Sequence, residues 1–101
     1  MRVARSVNGI AIRVTDERWL HVTEEHSELA GYFFDVIETI EAPEAVVEGA
    51  AGELLAYREI EPGKYLVVVY RETAPNDGFV ITGFMTRQIR RLEQRKRIWP
   101  I

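Results

Sequence analysis

The feature that most constrains this chain is a change of period at Pro43. Before it, Leu29, Ala30, Phe33, Val36, Ile37 and Ile40 recur at helical spacing and make one apolar stripe, with Glu28, Asp35 and Glu38 on the other side. Beyond it the spacing becomes two, through Ala45–Glu48, Glu53–Glu61, Lys64–Thr73 and Phe79–Thr86, four runs rich in Val, Ile, Tyr and Phe. Proline disfavours a helical residue before it, so Ala42-Pro43 stops the helix. Pro62-Gly63 reads as a tight turn between the second and third runs, and the Ala74–Gly78 loop joins the third to the fourth. Tyr65–Tyr70 is apolar on both faces, the mark of a central strand.

The flanks complete the expected fold. Met1–Val7 and Ile10–Thr15 both alternate around Asn8-Gly9, which predicts a hairpin closed by a type I′ turn. Trp19, Leu20, His21 and Val22 read as extended or irregular. The helix then starts at Thr23 or Ser27, either of which can cap it, with Glu24, Glu25 and Glu28 near the positive end of its dipole. Arg87–Arg97 is helix-compatible, with Ile89 and Leu92 apolar and the rest mostly basic. The predicted class is α+β: an N-terminal hairpin and helix, a four-stranded antiparallel sheet, and a short basic C-terminal helix.

At 101 residues the chain suits one domain, residues 1–101, large enough to bury a core without staples. The absence of cysteine excludes disulfides, thiolate metal sites and cysteine nucleophiles. No apolar run approaches the roughly 20 residues of a membrane span, and no apolar segment follows Arg5 as in a signal peptide, so a cytoplasmic protein without membrane contact is expected. Charge is strongly segregated. Residues 1–15 hold Arg2, Arg5 and Arg13 and no acid; residues 16–61 hold 13 acids against Arg18 and Arg58; residues 62–101 hold 8 bases against Glu72, Asp77 and Glu93. Either the acidic and basic segments neutralise each other in the fold, or Arg87, Arg90, Arg91, Arg95, Lys96 and Arg97 form a basic face, the footprint of a polyanion binder.

Few residues can carry chemistry. His21 and His26 are five apart, with Val22 where a zinc-protease glutamate would stand, so neither a metal nor another cofactor is expected. His26 shares a helical face with Leu29, Ala30 and Phe33; it is either a histidine at the core rim or an imidazole aimed at the sheet that can shuttle protons. Strict alternation puts Val80, Thr82, Phe84 and Thr86 on one strand face and Phe79, Ile81, Gly83 and Met85 on the other. Thr82 and Thr86 are ordinary strand formers, or phosphate donors beside Arg71 and Arg87.

Four ordered segments resemble a known family: Trp19-x-His21-(x4)-His26-x-Glu28-Leu29, Ile40-(x2)-Pro43-Glu44-x-Val46, Tyr65–Val69, and Gly78–Phe84. They are similar to the phage-type branch of the BECR nuclease superfamily, which groups barnase, EndoU, colicin and RelE-like enzymes, and the resemblance covers roughly residues 19–90. Ser27 and Phe84 stand where members often carry proline and tyrosine, and a lysine is common in the family near Tyr70 or Arg71. The resemblance implies a helical N-terminal part on a four-stranded antiparallel sheet, and metal-independent RNA cleavage in which the 2′-hydroxyl attacks phosphorus to leave a 2′,3′-cyclic phosphate. In that chemistry His26 and His21 are the candidates for acid and base, Arg71 and Arg87 hold phosphate, and Thr82 and Thr86 donate hydrogen bonds.

Three readings follow. The first is a metal-independent endoribonuclease, the toxin of a toxin–antitoxin pair whose short acidic partner protein covers the basic surface. The second is a non-catalytic RNA-binding or protein-interaction domain of the same fold, with Arg90, Arg91, Arg95, Lys96 and Arg97 on the RNA. The third is a structural module, a homodimer in which the C-terminal helix and Trp99 pack on a partner.

Overall fold

The computed structural model describes residues 1–101 as an α+β fold, three α-helices on a seven-stranded mixed sheet. Strands β1 (Arg2–Arg5) and β2 (Ala11–Val14) precede helices α1 (Asp16–Glu25) and α2 (Phe33–Glu41). Strands β3 (Ala45–Glu48), β4 (Leu54–Glu61), β5 (Lys64–Ala74) and β6 (Asp77–Thr86) follow, then α3 (Ile89–Glu93) and β7 (Arg97–Trp99). The sheet order is β1-β2-β6-β5-β4-β3-β7, so the expected four-stranded sheet is extended at both edges. No helix is long and apolar enough to cross a membrane.

The four strands after Pro43 pair antiparallel in sequence order. The β4–β5 turn uses Pro62 and Gly63, and Gly63 has the positive φ of 76° that a type II turn needs at its third position. The next loop is tighter than expected: Ala74 already pairs with Asp77, leaving Pro75-Asn76 as the connection. Leu66, Val67, Val68 and Tyr70 are all inaccessible to solvent, because helices cover one face of β5 and α3 the other.

The helical expectations are corrected first. Trp19–Val22 is not extended but lies within α1, which starts at Thr15 rather than at Thr23 or Ser27. Thr15 caps it by accepting from the Arg18 N–H (3.1 Å), and Asp16 and Glu17 occupy its first turn. Only Val22 of this helix is buried, so its period is faint in the sequence. The apolar stripe from Leu29 to Ile40 is likewise not one helix. Ser27–Leu29 forms a 3₁₀ turn, and Gly31 reverses the chain at φ 88° before α2 begins.

The hairpin forms, but not on a type I′ turn, which needs positive φ at both Asn8 and Gly9. Only Gly9 is left-handed (φ 78°); the Gly9 N–H donates to Ser6 O and the Ser6 N–H to Ile10 O, closing a three-residue loop. Ser6 selects this loop, since its Oγ accepts from the Asn8 and Ile10 N–H groups and donates to Glu72 (2.6 Å). The hairpin then joins the sheet through a parallel contact, Ile12 with Gly78 and Arg13 with Phe79, clamped by the paired bonds from Arg13 to Asp77 (2.8 and 3.1 Å). That guanidinium holds the Asp77 carboxyl below its ordinary pKa.

The C-terminal helix stops at Glu93, and Arg97–Trp99 becomes an edge strand on β3. Ile98 and Trp99 are half-buried against the main core, where the apolar gain exceeds that of continuing a helix. Trp99 therefore packs within its own chain.

The main core lies between α1, α2 and the sheet, and a second, smaller one lies under α3. Tyr70 sits in the main core with no exposure and no partner for its hydroxyl, and burial first, then the Glu72 charge, pushes its pKa up. A raised phenol pKa contributes stability that is complete below the unfolded value of about 10 and is lost as pH climbs above it. Melting temperatures between pH 9 and 12 are expected to fall, with the Tyr70 phenolate absorbance arriving only on unfolding. Tyr70→Phe, which removes an unsatisfied buried hydroxyl, should raise stability by about 1 kcal/mol and flatten that alkaline decline.

Candidate functional site

The break between α1 and the 3₁₀ turn positions His26. Its N–H closes α1 on Val22 O (2.8 Å), and its carbonyl accepts from the Leu29 N–H (3.0 Å). Leu29, fully buried, plugs the turn onto β6 opposite Gly83, where a Cβ would stand 3.2 Å from Leu29 Cδ1. The His26 ring is thereby held 6.5 Å from that of Phe84, centroid to centroid, at the flank of β6. Here β6 lacks a neighbouring strand, because β2 pairs with it only at Gly78 and Phe79. The imidazole is one-third exposed, with Nδ1 3.5 Å from a Glu28 carboxylate oxygen. An accessible imidazole beside a carboxylate is equipped to move protons.

His21 is elsewhere. It is exposed on α1, 4.0 Å from Glu17, and lines a shallow polar depression with Thr15, Glu17 and Arg18. From the same depression the Arg18 guanidinium reaches the Ile81 carbonyl on β6 (3.5 Å). Arg18 escapes a sequence reading that makes this stretch irregular; the Thr15-Asp16-Glu17 cap was the signal that could have found it.

Thr82, Phe84 and Thr86 share the sheet face that carries α3, opposite Val69, Val67 and Tyr65. Strict alternation fails above Thr82. A bulge at Ile81 turns Val80 into the main core and places Ile81 against the α3-side core with Phe84, while Phe79 pairs with Arg71. The Thr86 hydroxyl is occupied, accepting from the Gln88 N–H (2.9 Å) at the entry to α3. The Thr82 Oγ1 is buried and unpartnered.

The two arginines lie at opposite ends of the strand pair. Arg71 is four residues along β5 from Val67, the partner of Phe84, or roughly 13 Å. Its guanidinium donates to Ala51 O (3.1 Å) in the β3–β4 loop. There Glu53 is held below the usual carboxylate range by the Ala51 N–H and its own, with Arg71 and Arg95 adding to the effect. Arg87 follows Thr86 and reaches Pro62 O (3.4 Å) at the β4–β5 turn. The fold thus brings His26 beside Phe84, sets Thr82 and Thr86 two residues to either side on the same strand face with Arg87 just beyond, and leaves His21 and Arg71 apart.

The basic residues separate into two groups. Arg13, Arg58 and Lys64 are ion-paired, Arg2 stacks on Phe34, and Arg5, Arg18, Arg71 and Arg87 bond carbonyls. Arg90, Arg91, Arg95, Lys96 and Arg97 are exposed and enter no ion pair. Leu92 and Ile89 seat α3 with Arg90 and Arg91 on one sheet face and Arg97 lies on edge strand β7, whereas the acids of α1 and α2 lie with the helices on the other face. The segregation is partial: Arg58 pairs with Asp35 and Glu38, Arg13 with Asp77 and Lys64 with Glu61, while the run from Arg90 to Arg97 keeps its charge unpaired.

The chain matches no known protein family, no curated protein and no solved structure.

Proposed function

We propose that the domain binds RNA on the α3–β7 side of its sheet and cleaves it without a metal ion, His26 serving as the proton-transfer group. The observation that carries this reading is the run of five exposed, unpaired bases between Arg90 and Arg97, held away from the acidic helices. Such a surface attracts a polyanion because each phosphate it neutralises releases a condensed counterion. His26, on the flank of β6 four strands from β7, adds the chemistry: a base for the 2′-hydroxyl or an acid for the leaving 5′-oxygen, with Arg87, three residues along from Phe84, as the arginine for the phosphate and the basic run supplying affinity for the rest of the strand. A BECR-like fold and a toxin role with an acidic partner belong to the same reading, as does a cytoplasmic location, where RNA is plentiful.

One observation favours a second reading, RNA binding without cleavage. Phe84, the ring beside His26, has no hydroxyl to donate a second proton.

Affinity for a single-stranded RNA, measured across a salt series in EDTA, tests the surface, and the same mixtures are examined for fragments. The expected result is an affinity that falls linearly on logarithmic axes. Changing Arg90, Arg91, Arg95 and Lys96 together to Gln should reduce the slope by about 3, near 0.7 per lost phosphate contact. A slope unmoved by those substitutions would remove this surface from the reading. Fragments ending in 2′,3′-cyclic phosphate support cleavage, and intact RNA on a tightly binding protein selects the second reading.

A further inference from the structure

Most of the exposed apolar side chains collect where α1, α2 and β1 meet. The chain's exposed large hydrophobics are Met1, Val3, Leu20, Phe34 and Ile101, and three of these five belong to one neighbourhood. The Trp19 ring meets Phe33 edge-on at 5.1 Å, and Phe33 meets Phe34 at 5.8 Å. Arg2 lies over Phe34, and the Met1 nitrogen lies 3.5 Å from Asp16, on the helix side that also carries Leu20. Phe34 is 69% and Leu20 58% exposed, although each adjoins an aromatic ring already anchored in the core. An apolar patch rimmed by charge marks an interaction surface.

The rim beside Leu20 is acidic: Glu17 and Glu24 stand three and four residues from it on α1 and pair with no lysine or arginine, whereas Asp16 meets the Met1 ammonium and Glu38 is paired with Arg58. We propose that this patch docks a cationic amphipathic helix of another protein, whose apolar face covers Leu20 and Phe34 while its lysines or arginines meet Glu17 and Glu24. Charge argues against a second copy. A two-fold contact would set the acidic rims against each other. A helical partner fits better than an added strand. The nearest sheet edge, β1, has its Arg5 N–H already bonded to Glu41 (3.2 Å), and a helix brings its backbone bonds satisfied.

The test uses the whole chain and a Leu/Lys peptide of about 18 residues patterned for one apolar helix face, with a scrambled peptide of equal composition as control. Calorimetry is expected to show binding that Leu20→Ser with Phe34→Ser weakens about tenfold or more, and that the scrambled peptide loses to a similar degree. Both side chains are exposed, so an unchanged melting temperature verifies the fold. The α3 glutamine variant, which tests RNA binding, should bind the peptide as the wild type does, so the two readings fail separately. Absence of binding, equal binding by the double variant or the scrambled peptide, or a concentration-dependent doubling of mass that the double variant abolishes would overturn the proposal.

Discussion

Replacing His26 by alanine is expected to slow RNA cleavage in EDTA by about 100- to 10,000-fold, the usual worth of a positioned proton-transfer group. The side chain is one-third exposed, and its charged neighbour is the Glu28 carboxylate at 3.5 Å, so the melting temperature should move little. His21→Ala is the internal control. That imidazole stands on exposed helix beside Glu17, and its loss should change the rate less than about threefold. Phe84→Tyr is the informative gain. It sets a phenol on the ring beside His26, and a faster reaction would show that the missing hydroxyl limits the wild type. Comparable turnover by wild type and His26→Ala would remove His26 from the chemistry, and cleavage would then need another origin.

Leu29→Ala is expected to cost about 2–5 kcal/mol of stability, lowering the melting temperature by about 10–30 °C for a domain of this size. Leu29 is fully buried in the main core and fills the space that Gly83 leaves open on β6. A cavity there cannot close easily, because the 3₁₀ turn is tied at both ends, through the Leu29 N–H to His26 and the Tyr32 N–H to Leu29. The same substitution loosens the turn that holds His26 beside Phe84. Cleavage measured well below the new melting point should therefore fall more than the folded fraction does. Leu29→Met, nearly volume-conserving, should cost less than about 1.5 kcal/mol and leave activity near wild type. Thermal unfolding and rates on the two variants check both halves of the argument.

The strands after Pro43, the turn at Pro62-Gly63 and the burial of Leu66–Tyr70 were legible in the residues, because alternation, turn chemistry and a doubly apolar run are local signals. The α+β class followed from the switch between helical and strand periods. The segregation of charge along the chain was legible too, though not which bases the fold would pair and which it would leave exposed. Tertiary structure decided the rest through contacts between distant residues. Arg13 clamps Asp77 and makes the hairpin a parallel neighbour of β6; Trp99 and Ile98 find the core and turn a basic helical stretch into a strand; Leu29 over Gly83 forces the helix break that brings His26 to Phe84. A local pattern reports what one segment prefers. Which segments meet depends on the apolar area and ion pairing gained when they do, and those terms exist only once the chain has folded.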